Sequence, residues 1–349
     1  MLLRLWILTL LAIAPTLTAD AELPKKKIIY IIPGHWDNLL DPSRVDLARQ
    51  TGYNLQPLLS WKAAAEEMGY ELRVADSNAD RLMDRTGRAV EAVDGIIVFD
   101  VFSHQGKYLA QYPREKIACI LWEPPSVMPQ NYHLPNHAHF FRVYTWCDDL
   151  VDQKRYHKLF YPALHPMVND ARPFNEKKLC ALIAMSRASD HPNQLYTERF
   201  KLISFFEWTH PRDFDVYGRE WPPHYSVYRG LSPNKRETLK GYRFCFAYEN
   251  IGGVPGYVTE KIFDCFEAGC VPIYLGAPNI EDYIPKSCFI ARADFASDEQ
   301  LYQFIKGMDE ARYLQYIENI RAFLGSEAAK RYSEAHFVTT MMELLQALH

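Results

Sequence analysis

The sequence predicts an α/β protein of two doubly wound, parallel-sheet halves facing each other across a cleft. Three observations carry that expectation. Short continuous apolar runs recur with stretches of helical spacing between them, the pattern of buried parallel strands joined by right-handed crossovers. A proline-punctuated segment, Tyr161 to Lys178 with Pro162, Pro166 and Pro173, divides the series in two. The length, 349 residues, exceeds what one core usually holds, since domains run to roughly 100–200 residues before they split.

In the first half, Lys27 to Pro33 reads as a buried strand ending at Gly34, and Leu59 to Met68 has helical spacing before Gly69. Further strands fall at Gly95 to Phe99, Ile117 to Trp122 and Arg142 to Thr145. The second half offers strands at Leu179 to Met185, Phe214 to Tyr217, Tyr242 to Tyr248, Val271 to Leu275 and Cys288 to Ala291. Helices fall between them at Thr259 to Ala268, stopped by Gly269, and at Ser297 to Gly307, where Ser297 and Gln300 have capping-box spacing. An amphipathic helix from about Glu327 to Leu348 closes the chain. The expected divisions are a leader over 1–24, a first domain over 25–165, a second over 166–326 and the final helix over 327–349. Ligands in such folds sit at the carboxyl ends of the strands.

The leader, Leu2 to Leu17, is strongly apolar with one early cation, Arg4, and ends near Ala19-Asp20-Ala21, a small-residue cleavage pattern. It reads as a signal peptide or short membrane anchor, although Pro15 interrupts it and a span needs ~20 apolar residues. Membrane association through the N-terminus, or export, is expected. The location this suggests is a bacterial envelope, or a Golgi membrane in a eukaryote. No N-x-S/T sequon occurs.

Composition narrows the function. A net charge of -4 supplies no basic field for nucleic acid, so any anion must be held by a few placed residues. The seven cysteines include no CxxC pair and mostly lie in apolar runs, which favours buried thiols over a disulfide frame or zinc site.

The chemistry concentrates at one place. Phe244 to Tyr248 is a strand that runs out at Glu249-Asn250 into the loop Ile251-Gly252-Gly253-Val254-Pro255-Gly256, after which Tyr257-Val258-Thr259-Glu260-Lys261 opens a helix. The free N–H groups and positive dipole end of that helix favour phosphate, and Lys261 adds a full charge. A carboxylate beside phosphate is repelled, so Glu260 suits ribose hydroxyls, and a nucleotide fits better than free phosphate. The same residues also fit an ordinary helix start decorated with Glu.

The run from Tyr248 to Ile290, containing GYVTEKIFDCFEAGCVPIYLGAPNIEDYIPKSCFI, resembles the donor-binding signature of glycosyltransferase family 10, the α1,3/α1,4-fucosyltransferases. The resemblance implies two Rossmann-like domains in the GT-B arrangement. It also implies inverting transfer of L-fucose from GDP-β-L-fucose to a hydroxyl of a glycan acceptor, lipid- or protein-linked, in α1,3 linkage to N-acetylglucosamine or glucose. By the same resemblance Tyr248, Asn250, Tyr257, Glu260 and Lys261 bind the donor, and Arg199, in Asn193 to Phe200, reaches the diphosphate in preference to Arg187. Leu121 to Ser126 resembles the segment carrying the general base. Glu123 is therefore the expected catalytic residue: a carboxylate at a strand end, fixed by Pro124 and Pro125, with Trp122 beside it to raise its pKa.

Two decoys invite metal. His133, His137 and His139, followed by Asp148-Asp149, lack a standard zinc spacing, with Pro135 between the first two histidines, and Asp213-Phe214-Asp215 is better explained by strand alternation. No metal or other cofactor is required, because Lys261, Arg199 and the helix end can carry leaving-group charge. Stimulation by Mn²⁺ or Mg²⁺ is left open. Another nucleotide-sugar donor, or a non-catalytic carbohydrate-binding protein on the same fold, are the rival readings.

Overall fold

The computed structural model describes residues 26–34, 39–44, 54–76, 81–102, 105–170 and 172–348. The expected leader, 1–24, lies outside them. Seven strands build the first sheet: β1 (Lys27–Ile32), β2 (Tyr70–Asp76), β3 (Met83–Asp84), β4 (Gly95–Phe99), β5 (Ile117–Leu121), β6 (Arg142–Thr145) and β7 (Tyr156–Lys158). Their order is β3-β2-β1-β4-β5-β6-β7, and only the β2–β3 pair is antiparallel. Helix α1 (Gln56–Glu67) makes the crossover from β1 to β2, turning Trp61 and Ala65 into the core. The sequence reading lacks β2, β3 and β7. The reason is visible in β2, where Glu71 and Arg73 interrupt the apolar residues and burial alternates, so no continuous run exists to be read.

The second sheet comprises β8 (Lys178–Ile183), β9 (Phe214–Tyr217), β10 (Tyr242–Tyr248), β11 (Val271–Leu275) and β12 (Ile290–Ala291), all parallel, in the order β12-β11-β10-β8-β9. Its strand order reverses between β8 and β10, and that of the first sheet between β1 and β4. Such switch points open crevices at the carboxyl ends of the strands. Helix α2 (Tyr196–Thr209) links β8 to β9, and α3 (Glu260–Glu267) links β10 to β11, burying Ile262, Phe263, Cys265 and Phe266 on one face. Helices α4 (Asp298–Lys306) and α5 (Glu310–Leu324) pack on the same core through Leu301, Ile305, Tyr313, Ile320 and Phe323. Ser297 caps α4 by accepting the Gln300 N–H, as its spacing predicts. All seven cysteines are free and buried.

The expected final helix is in two pieces. A 3₁₀ turn over Glu327–Tyr332 stops at Ser333, which is extended and accepts the His336 N–H to start α6 (Glu334–Ala347) afresh. Helix α6 then packs on the opposite half. Phe337, Met341, Leu344, Leu345 and Leu348 share a core with Ile29, Ile31, Leu58, Trp61 and Phe99, so the end of the chain straps the first sheet to the second. Among the described residues no helix is long and apolar enough to cross a membrane.

Leu345 is fully buried in that seam. Leu345→Ala should lower unfolding stability by about 3 kcal/mol in a denaturant titration. Exposed Glu343→Ala, two residues away, should change it by less than about 0.5 kcal/mol.

Candidate active site

Strand β10 ends at Tyr248, and the next two residues turn toward α3. Glu249 is fully buried. Its Oε1 accepts the Thr259 N–H at 2.9 Å, and its Oε2 accepts the Thr259 hydroxyl at 2.7 Å and lies 3.1 Å from Lys261 Nζ. A buried carboxylate therefore ties the strand end to the helix start. Burial pushes the Glu249 carboxyl above its usual range, although Lys261 opposes this. Burial alone would lower Lys261, but Glu249 and Glu260 outweigh it and raise the ammonium, so Lys261 stays charged. Glu260 is driven the other way from Glu249: burial would raise it, but Lys261, Lys235 and local hydrogen bonds hold it well below the carboxylate range. Gly276 makes room for this arrangement, because a Cβ there would stand 2.6 Å from Glu249 Cγ.

Arg199 projects from the first turn of α2 and is buried. One guanidinium nitrogen donates to the Tyr248 carbonyl (2.7 Å), the Glu249 carbonyl (2.8 Å) and Asn250 Oδ1 (3.1 Å), while its Nε has no hydrogen-bond partner among the described residues. Arg199 and Asn250 are thus joined at the mouth of β10. The Tyr248 side chain is elsewhere: strand alternation turns it into the core against Phe246, at 5.7 Å between ring centroids, and it contributes only its carbonyl here. Tyr257 is also buried, its ring 4.4 Å from Trp146 of the first half, and its carbonyl accepts from the Tyr274 hydroxyl.

From the first sheet, β5 delivers Glu123. Its carboxyl is pushed up to about 7, first by burial and then by Asp100 and Glu260, with Lys261 and Arg187 pulling the other way. Three of those neighbours belong to the second half. Glu123 therefore lies within the field of the α3 start, more than a hundred residues away in sequence. Arg187, on the exposed loop after β8, shares that field.

The two halves meet closely beside these residues. The Asp148 N–H donates to the Pro255 carbonyl at 3.2 Å, and Asp148 Oδ2 accepts from Asn279 Nδ2 at 3.0 Å. Lys158 Nζ (2.6 Å) and the Tyr283 hydroxyl (2.6 Å) donate to the same carboxylate. Burial would raise Asp148, but these donors hold it below the carboxylate range. Gly256 has φ +84, and a Cβ there would approach the Trp146 carbonyl to 2.4 Å. Both features require glycine.

The decoys resolve into ordinary pairings. Buried His137 bonds Tyr156 and the Asn131 carbonyl. Asp213 takes Lys306 and Tyr302, and Asp215 takes Lys178, Tyr242 and Arg229. Among the described residues no group of His, Cys, Asp and Glu is arranged to hold a metal. Sequence reasoning passed over Glu249 and Asp100, and took Asp148 only as part of the metal decoy that follows the histidines. The signal for Glu249 was its place between the strand end and the helix start; its partners Thr259 and Lys261 are set only by folding.

Two Rossmann-like sheets meeting at their carboxyl ends, with a cationic helix start on one side and a carboxylate on the other, define a GT-B glycosyltransferase fold. The match of residues 174–349 to the family model "Glycosyltransferase family 10 (fucosyltransferase) C-term" places the chain in that family. Among curated relatives, the human 3-galactosyl-N-acetylglucosaminide 4-alpha-L-fucosyltransferase FUT3 is 38% identical over 246 residues, 64% of this chain and 60% of that protein. An alpha-(1,4)-fucosyltransferase of Arabidopsis thaliana is 40% identical over 81 residues, 23% of this chain and 20% of that one. The chain thus spans less than two thirds of either relative. An α1,3-fucosyltransferase solved with GDP has the same fold at 15% identity and a TM-score of 0.52, covering 94% of this chain and 92% of its own.

Glu249→Gln keeps one of the two acceptors for Thr259 and removes the fully buried counter-charge of Lys261. It should cost about 3 kcal/mol of unfolding stability, read by denaturant titration at neutral pH.

Proposed function

We propose that the protein is an inverting fucosyltransferase that moves L-fucose from GDP-β-L-fucose to a hydroxyl of a glycan acceptor, in α1,3 linkage to N-acetylglucosamine or glucose. The observation that carries this reading is the convergence of Glu123, from the first half, with Lys261 and Glu260 at the start of α3. Family membership supplies the donor class.

In this reading the GDP diphosphate lies against the N-terminus of α3, where free N–H groups and Lys261 favour it. The ionised Glu260 accepts from ribose hydroxyls. Arg199 holds Asn250 and the strand end, and its unpartnered Nε and buried charge favour an anion beside them. The acceptor hydroxyl approaches from the side of the first half. Glu123 takes its proton as the oxygen attacks the anomeric carbon, and GDP leaves from the opposite face, which inverts the configuration. A carboxylate of pKa about 7 is a stronger base than an exposed one. Lys261 and Arg199 offset charge growing on GDP, so the reaction needs no metal in this scheme. Residues 1–24 would hold the enzyme at a membrane or direct its export.

Three measurements test the reading. GDP should raise the melting temperature and UDP should not; the reverse would point to a different donor. Lys261→Ala should abolish the GDP effect. Glu123→Gln should retain GDP binding yet transfer fucose to an N-acetyllactosamine acceptor about 10²- to 10⁴-fold more slowly. Near wild-type transfer by that variant would remove Glu123 from the role of base. Because the base must be ionised, wild-type kcat/KM should fall as pH drops through about 7.

A further inference from the structure

We propose that Asn279 and Asp148 are positioning residues for the donor: together they hold one peptide group, the link between Pro255 and Gly256, from both sides, and through it the first half fixes the start of α3. This rests on the reading of the α3 start as the diphosphate site.

The chain entering α3 is tied at two places. Within its own half, Glu249 accepts from the Thr259 N–H and hydroxyl. Just upstream, at Pro255-Gly256, the opposite half takes hold. The Pro255 carbonyl accepts the Asp148 N–H at 3.2 Å. The other polar group of the same peptide unit, the Gly256 N–H, donates to Asn279 Oδ1 at 2.9 Å. Asn279 Nδ2 then donates to Asp148 Oδ2 at 3.0 Å, which closes a ring of three hydrogen bonds running through both halves. With its donor and its acceptor both engaged, that peptide group can neither flip nor slide without losing a bond. A Cβ on Gly256 would stand 2.7 Å from Asp148 Cγ, so the two halves touch at the ring itself.

Little slack separates the ring from the helix. The Gly256 carbonyl accepts the Val258 N–H at 3.0 Å, and the Tyr257 carbonyl accepts from the Tyr274 hydroxyl. That hydroxyl also accepts the Ala277 N–H at 3.0 Å, on the loop that carries Asn279. Thr259 then caps α3, and Lys261 stands in its first turn. A displacement at the ring is therefore passed to the Lys261 ammonium and to the free N–H groups of the helix start. The ring also demands particular chemistry. Asn279 must accept from a backbone N–H and donate to a carboxylate, which an amide does and a second carboxylate cannot. Asp148 must accept, and its charge is matched by Lys158 Nζ and the Tyr283 hydroxyl, each at 2.6 Å. Exchanging the two side chains would reverse donor and acceptor across the contact and close the ring again.

The test is calorimetric titration of the full chain with GDP, alongside the KM values for GDP-fucose and for an N-acetyllactosamine acceptor. Asn279→Asp sets two carboxylates against each other; it should weaken GDP binding about 10-fold and raise KM for GDP-fucose by the same factor, with KM for the acceptor unmoved. The double variant Asp148→Asn with Asn279→Asp should recover most of that loss. An unchanged GDP affinity in Asn279→Asp, or a loss that the exchange does not recover, overturns the proposal. A purely structural contact would lower the melting temperature and leave the GDP affinity of the folded protein as it was. Should Asn279→Asp fail to fold, Asn279→Ala takes its place, with the same 10-fold loss expected and an unchanged affinity overturning the proposal. The wild-type titration separates the two levels. If the wild type binds GDP and the variants bind it equally well, only the ring has failed; if the wild type binds no GDP, the donor reading has failed and the proposal with it.

Discussion

The site depends on how closely the two sheets approach at Gly256. Its backbone packs against the Trp146 carbonyl and the Asp148 carboxylate with no space for a Cβ. The loop that leads into α3 can then lie directly on the strand end of the opposite half. Asp148 holds that register with four donors or acceptors drawn from both halves, and Tyr257 fills the gap beneath it against Trp146 and Tyr161. Polar groups set the alignment while aromatic rings exclude water from it. The same approach brings Glu123 into the field of Lys261.

Charge at the junction is arranged by unequal burial. Glu249, Glu260 and Glu123 are three carboxylates near one ammonium, yet they titrate differently. Glu249 is wholly enclosed and serves as a tether. Glu260 is more open, lies beside two lysines and stays ionised. Glu123 has a like-charged neighbour in Asp100 and sits where proton transfer near neutrality becomes feasible. These differences follow from how deeply each carboxylate is enclosed and how many cations stand beside it.

The parallel strands with continuous apolar runs were legible in the sequence almost residue for residue: β4, β6, β9, β10 and β11 have the expected bounds. Strands written in alternation or at an edge, such as β2 and β7, were not, because half-buried positions admit Glu71, Arg73 and His157. The break at Ser333 was also hidden, since amphipathic spacing continues through it and only the serine cap marks the restart. For the site, Lys261, Glu260 and Glu123 were legible as charges at element ends. Tyr248 and Tyr257 were legible as neighbours of those charges, but their ring directions were not, and both rings are turned into apolar packing. Arg199 was expected to face a phosphate and in the structure bonds strand-end carbonyls, a role that depends on the burial of α2 and that local spacing does not encode.

What sequence reading missed most consistently is the layer behind the charged groups. Asp100, Asn131, Asp148 and Glu249 come from four separated segments, and each has meaning only through a partner that folding delivers. A strand-end aspartate is common, and nothing local distinguishes Asp100 from a solvated one. Its left-handed backbone and its two bonds to the residues that follow the next strand over exist only once β4 and β5 lie side by side. A chemical group at the end of a parallel strand is inherently mobile, because the sheet stops holding the backbone there. The fold answers that at Glu123 by having Asp100, the residue directly after β4, replace the missing ladder bonds with a carboxylate. One side chain thereby extends the sheet's hold by two residues.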